Sequence, residues 1–69
     1  MSFVVTPNAR EMFTHRELTE AYTNFEERGP QYVSAESGLR GATYRFGTRA
    51  LLVYQEAETG VVILIHPTS

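Results

Sequence analysis

The sequence contains no cysteine, no lysine and no aspartate among its 69 residues. Without cysteine it can form no disulfide framework, no thiolate nucleophile and no Cys-ligated metal site. The longest aliphatic run, Val61 to Ile65, is far shorter than the roughly 18 residues that a membrane-spanning helix needs. The first residues also lack the basic segment and the long apolar core of a signal peptide. These absences predict a cytoplasmic protein that is not inserted in a membrane.

Charge and length narrow the class of protein further. Six arginines and eight glutamates give a formal net charge of -2, and this balance disfavours a dedicated nucleic-acid binder, which is usually basic. A chain of this length makes a single domain, residues 1–69. A domain this small buries only about 60% of the surface of its unfolded chain, so dimerisation or a partner often supplies the missing stability.

A long helix is predicted over His15 to Arg28. Thr14 has the character of an N-cap, and Glu17 three residues later completes a capping box. Gly29 suits the position after the last helical turn. The apolar residues of this segment recur at the spacing of one helical face: Leu18, Ala21, Tyr22 and Phe25.

Shorter elements flank this helix. Phe3 to Thr6 is rich in β-branched residues and predicts an edge strand. Asn8 to Met12 predicts a separate helical turn. Gln31 to Val33 can form a short extended segment. Ser34 to Arg40 is typical of a loop, with Ser37-Gly38 as a turn signal.

The last third of the chain predicts a three-stranded β-meander. Its strands are Ala42–Phe46, Thr48–Glu56 and Val61–His66, separated by a two-residue turn at Gly47 and a three-residue loop over Glu58 to Gly60. The expected fold is therefore α+β, an antiparallel sheet of three to four strands with one long helix packed on one face.

The two turns predict which side chains share a face, because directly opposed residues on neighbouring strands point the same way. In the first hairpin Phe46 opposes Arg49, and in the second Val53 opposes Ile65. The predicted core face consists of Ala42, Tyr44, Phe46, Leu51, Val53, Val61, Ile63 and Ile65. The predicted second face consists of Thr43, Arg45, Leu52, Tyr54, Glu56, Val62, Leu64 and His66.

The second face is the predicted interaction site, since one helix can cover only one face of the sheet. Its anchors are Leu52, Tyr54, Val62 and Leu64, and its charged rim is Arg45, Glu56 and His66. An apolar centre with a charged rim is typical of a protein interface. The expected function is a small non-enzymatic regulator or inhibitor of a larger protein complex, of the kind that mobile elements such as phages encode. Three occupants of the face remain open: residues 1–12 folded back over it, a second copy of the chain, or a different protein.

Other kinds of site find less support in the sequence. The arginines Arg40, Arg45 and Arg49, interleaved with aromatic residues, could bind a nucleic-acid backbone. His15 and His66 lie far apart in the sequence and form no metal-ligand motif, so no metal or cofactor is expected. No nucleophile motif, phosphate-binding loop or acid–base pair predicts catalytic residues.

Two stretches of the chain resemble the RelE/ParE superfamily of toxins. Residues Phe3 to Arg10 resemble the strand-then-helix opening of those proteins. Leu39 to Arg49, continuing through Tyr54 to the closing segment Val61–His66, resembles their Gly-x-Tyr-Arg strand, second arginine strand and last strand. The resemblance implies an mRNA-cleaving or gyrase-binding toxin, with functional positions at Arg45, Arg49, Tyr54 and His66.

Overall fold

A computed structural model describes residues 3–67 and has an α+β fold. Its elements are β1 (Val4–Val5), α1 (Pro7–Met12), α2 (His15–Arg28), β2 (Tyr32–Val33), β3 (Leu39–Phe46), β4 (Arg49–Glu56) and β5 (Val62–Ile65). The five strands form one sheet in the order β1-β5-β4-β3-β2. β1 runs parallel to β5, and the other neighbours are antiparallel. The predicted class is confirmed, but the sheet is mixed and larger than expected, and a second helix accompanies the long one.

The long helix α2 has the predicted bounds and caps. The Thr14 hydroxyl accepts the Glu17 N–H at 3.2 Å, and the Glu17 carboxylate accepts the Thr14 N–H at 2.9 Å. This reciprocal pair satisfies two amides that the first helical turn leaves without partners. At the other end Gly29 has a φ of 77° and its N–H donates to Phe25 O at 2.8 Å. Within residues 3–67 neither helix is long and apolar enough to cross a membrane.

The predicted turn at Asn8 to Met12 is a short helix, α1, which begins at Pro7. Proline suits this first position because its missing N–H would have no helical partner there. α1 is fixed to β5 by a hydrogen bond from the Asn8 side-chain amide to His66 O at 2.9 Å. The Thr6 N–H also donates to Leu64 O, at 3.1 Å. These contacts join the start of the chain to its last strand.

Both helices pack on the same face of the sheet. Ala9 of α1 lies in one buried cluster with residues of α2 and with Leu51, Val53 and Leu64 of the sheet. Phe3 and Val5 pack against this cluster from the edge of the sheet. The full set of buried hydrophobic residues is Ala9, Phe13, Leu18, Ala21, Tyr22, Phe25, Ala42, Leu51, Val53, Val62 and Leu64.

The hairpin between β3 and β4 has the predicted register. Phe46 opposes Arg49, Tyr44 opposes Leu51 and Ala42 opposes Val53. The two-residue turn contains Gly47 with a φ of 68°, a conformation that favours glycine. Strand β3 begins earlier than predicted, at Leu39, because its first residues pair with the end of β4 and with β2.

The predicted register of the β4–β5 hairpin was wrong by one residue. Val53 opposes Leu64 rather than Ile65, and Tyr54 opposes Ile63 rather than Leu64. The Glu56 N–H donates to Val61 O at 3.2 Å, and the Gly60 N–H donates to Glu56 O at 2.8 Å. The loop therefore has four residues, 57–60, instead of three. A shift of one residue moves every side chain of β5 to the opposite face.

Candidate functional site

The sheet face opposite the helices carries the candidate site, and we call it the open face. Within residues 3–67 no helix packs on it. Its side chains follow from the strand register and from the alternation of residues along each strand. Its polar members are Thr43, Arg45 and Glu56, and Gly41 lies on it as well. Its apolar and aromatic members are Val4, Tyr32, Leu39, Ala50, Leu52, Tyr54, Ile63 and Ile65.

A continuous row of residues crosses the open face from one edge of the sheet to the other. Val4 lies beside Ile63, and Ile63 opposes Tyr54. Tyr54 opposes Gly41, which in turn opposes Tyr32 on the far edge strand. Directly opposed side chains lie about 4.5–5.5 Å apart at their Cβ atoms. We call this row the apolar ridge. Leu52 and Ile65 oppose each other and form a second, shorter apolar row beside it.

The aromatic end of this ridge depends on Gly41. The Tyr32 ring lies over this glycine so closely that a Cβ at position 41 would be 2.5 Å from Cε2 of the ring. In that position the Tyr32 ring makes an edge-on contact with Tyr54, with centroids 6.3 Å apart. Tyr32 is nevertheless 43% exposed. Two tyrosines thus hold each other in place and still present ring surface to solvent.

The environment of Tyr54 also affects its ionisation. Hydrogen bonding to Tyr32 and, after it, partial burial raise the pKa of Tyr54 above its usual value of 10.0. The Tyr54 phenol is therefore neutral near pH 7. An uncharged tyrosine at the centre of an apolar ridge offers a large contact area at low cost in side-chain entropy.

Charged groups mark the two ends of the open face. Arg45 lies beside Ala50 near the β3–β4 turn, and Glu56 lies at the far end of β4. At about 3.4 Å per residue these two levels are roughly 20 Å apart. Glu36 and Glu58 line a shallow depression together with Glu56. The face therefore has a basic end, an apolar middle and an acidic end.

The structure corrects three of the predicted interaction residues. Val62 and Leu64 are buried under the helices, with 2% and 0% exposure. His66 also lies on the helix side, where its ring contacts Phe13 at a centroid distance of 5.6 Å. The shifted register of β5 explains all three errors, and it brings Ile63 and Ile65 to the open face instead.

Leu52, Tyr54, Arg45 and Glu56 lie on the open face as predicted. The sequence interpretation missed Tyr32, although a glycine across from an aromatic residue in a hairpin signals that the ring can fold over the neighbouring strand. It also missed Val4, because the pairing of β1 with β5 joins the two ends of the chain.

The N-terminal segment does not cover the open face over residues 3–12. Val4–Val5 extends the sheet at its edge. α1 lies on the helix side, where Ala9 is fully buried. Residues 1–2 lie outside the described part of the chain. The possibility that this segment folds back over the predicted second face is therefore wrong for residues 3–12.

The three arginines proposed for nucleic-acid binding do not converge. Arg49 donates to Glu17 through both terminal guanidinium nitrogens, Nη2 at 2.7 Å and Nη1 at 3.2 Å, and Nη1 also donates to Met12 O. Arg40 and Arg45 are five residues apart in one strand and so point to opposite faces. Only Arg45 lies on the open face, so no basic patch forms there.

The Glu17–Arg49 pair stabilises the join between α2 and β4. The Thr14 amide, followed by Arg49, holds the pKa of Glu17 below its usual value of 4.5. Arg49 also lies over the Phe13 ring, 5.1 Å from its centroid. These contacts occupy the guanidinium within the fold, and they give Arg49 a structural role.

The four positions implied by the toxin resemblance are divided between the two faces of the sheet. Arg45 and Tyr54 lie on the open face, and Arg49 and His66 contact Phe13 on the helix side. Among residues 3–67 no three His, Cys, Asp or Glu side chains are grouped to hold a metal ion. No family model, curated protein or solved structure matches this chain.

Proposed function

We propose that this chain is a small non-enzymatic protein-interaction module that regulates or inhibits a larger protein complex by docking through its open face. The observation that supports this proposal is the apolar row from Val4 through Ile63 and Tyr54 to Tyr32, on a sheet face that no helix of residues 3–67 covers. Contiguous apolar surface with a polar rim is typical of protein–protein contacts. Tyrosine at its centre fits the residue preferences of binding hot spots.

A pull-down from cells that naturally produce the chain tests this proposal. The informative variant is Ile63→Arg, which places a charge in the middle of the ridge. Thr23→Arg is the matched control, because it adds the same charge at an exposed position of α2. We expect wild type and Thr23→Arg to retain the same specific partner, and Ile63→Arg to lose it.

A second variant guards against misfolding in this experiment. Val4 is 54% exposed at the edge of the sheet, so Val4→Arg should fold and still disrupt the ridge. Circular dichroism would verify that each variant is folded. A partner that all folded variants retain would contradict docking through the open face.

The alternative proposal is a RelE/ParE-like toxin, either an mRNA endoribonuclease or a gyrase-binding protein. The strand Val4–Val5 followed by the helix Pro7–Met12 favours it, because that opening is part of the resemblance. Growth arrest on expression, relieved by Arg45→Ala or Tyr54→Phe, would support this activity. Normal growth with the folded wild-type protein present would exclude it.

A further inference from the structure

The charges on the open face are arranged to complement those of a second copy, and we propose that the chain forms a two-fold symmetric homodimer through this face. The inference rests on the proposed function because it concerns the same surface, for which a second copy and the larger protein complex compete. Its main support is the position of Arg45 and Glu56 at opposite ends of the open face, measured along the strands, with the apolar rows between them.

The strand register places these groups symmetrically about one level of the sheet. Along β4 the open-face positions are Ala50, Leu52, Tyr54 and Glu56, whose midpoint is the level of Val53. Arg45 lies beside Ala50, three residues from that midpoint, and Glu56 lies three residues away on the other side. On β5 the same level is Leu64, with Ile63 and Ile65 flanking it.

Consider two open faces that face each other, with a two-fold axis between them that is perpendicular to the strands and lies at the level of Val53. The strands of the two copies then run in opposite directions. The basic end of each copy then meets the acidic end of the other, and the Leu52 level meets the Tyr54 level. Symmetric contacts of this kind are self-complementary by construction. Facing sheets lie about 10 Å apart, a gap that an arginine and a glutamate extended toward each other can bridge.

Pairing through the edges of the sheet is a weaker route to a dimer. The edge strands β1 and β2 have two residues each, so they offer few unpaired backbone groups to a neighbouring chain. The face is larger, at most about 24 by 27 Å from the strand spacing and length. Because β1, β2 and β5 are shorter than the eight residues of β4, the paired area is smaller than this bound and falls below the lower limit of standard interfaces, roughly 600 Å² per partner. We therefore expect a dimer that dissociates on dilution.

A charge-swap experiment tests both the dimer and its orientation. Arg45→Glu and Glu56→Arg each create like-charge contacts in their own homodimers, and both positions are exposed, so the variants should fold. We expect each variant to dimerise roughly 10-fold more weakly than wild type, because two attractive pairs become repulsive. Mixing the two variants restores both attractive pairs, so the heterodimer should form with close to wild-type affinity.

Sedimentation velocity over a range of concentrations measures these affinities. A wild-type mass that rises from 7.8 kDa toward twice that value, with preferred heterodimers in the mixture, would support the inference. A wild-type monomer at every concentration would overturn the dimer, while the pull-down with Ile63→Arg would still judge the proposed function separately. A dimer in which the charge variants mix without preference would overturn the two-fold arrangement.

Discussion

The two faces of the sheet carry similar side chains but differ in how completely they are buried. Leu64 and Ile65 are adjacent in β5, yet Leu64 is fully buried by the helices and Ile65 is only half-buried on the open face. Leucine and isoleucine have side chains of the same size and nearly the same hydrophobicity. Coverage by the helices, and not the hydrophobicity of a residue, therefore decides which face of the sheet becomes the core.

Polar groups differ between the faces in the same way. On the helix side Arg49 binds Glu17, and Asn8 donates to His66 O. Within residues 3–67 the Glu17–Arg49 contact is the only salt bridge, so Arg45 and Glu56 on the open face have no ionic partner in the monomer. The polar contacts at the join of the helices and the sheet are internal, whereas Arg45 and Glu56 on the open face are exposed beside apolar side chains and available for binding.

Loss of packing on the helix side should reduce the free energy of unfolding more than any change on the open face. Leu64→Ala should destabilise the fold by about 2–5 kcal/mol, because it leaves a cavity in the buried cluster. Ile65→Ala should cost clearly less, since its side chain is only half-buried in the monomer. Urea denaturation of dilute protein measures both changes. Equal losses for the two variants would contradict the difference between the faces.

A smaller effect is expected where the open face is most tightly packed. Gly41→Ala should cost about 1–3 kcal/mol, because the new Cβ would displace the Tyr32 ring from its position 2.5 Å away. In a Tyr32→Ala background the same substitution should cost nothing, and should stabilise the strand by up to about 1 kcal/mol. Denaturation of the four proteins gives the coupling energy. Additive effects would show that the ring and the glycine are independent.

The Glu17–Arg49 contact, which lies on the helix side, predicts that the stability of the fold depends on pH. The pKa of Glu17 is lowered in the folded protein, so its contribution to stability is present above the unfolded pKa and is lost as pH falls through the folded value. We expect the stability of Glu17→Gln to fall less steeply on acidification than that of wild type. Thermal unfolding from neutral pH to pH about 3 measures this difference. Parallel pH profiles for the two proteins would contradict it.

The smallest expected effect concerns the tyrosines of the open face. Hydrogen bonding to Tyr32 is the main cause of the raised pKa of Tyr54, so Tyr32→Phe should lower the pKa of Tyr54 toward 10.0 while keeping the ring. Any stability from this pair is present below the unfolded pKa of tyrosine and is lost as pH rises through the folded value. Phenolate absorbance during alkaline titration reports the change, and Tyr44→Phe serves as the control. An unchanged titration of Tyr54 in Tyr32→Phe would contradict the interaction.

Local signals predicted several parts of this fold correctly. The capping box at Thr14 and Glu17 and the glycine after Arg28 gave the bounds of α2. The two-residue turn at Gly47 gave the register of β3 and β4. Each of these signals operates over a few residues, where side-chain and backbone geometry leave few alternatives.

The β4–β5 loop shows where local signals fail. Gly60 has the left-handed φ expected of a hairpin loop, 73°, but glycine in that position is compatible with loops of more than one length. Because the loop includes Ala57, every side chain of β5 lies on the face opposite to the predicted one. Ile63 and Ile65 therefore lie on the open face, where Val62 and Leu64 were predicted. Half of the predicted anchors were therefore assigned to the wrong face by a single residue.

Short-range backbone preferences were sufficient to specify the α+β class, the long capped helix and the first hairpin of the meander. Packing between distant segments was needed to fix which face of β5 became the core, how Val4–Val5 paired with the last strand, and where Tyr32 lay over Gly41. Those features join residues distant along the chain. Their free energies depend on packing that no local pattern of residues specifies.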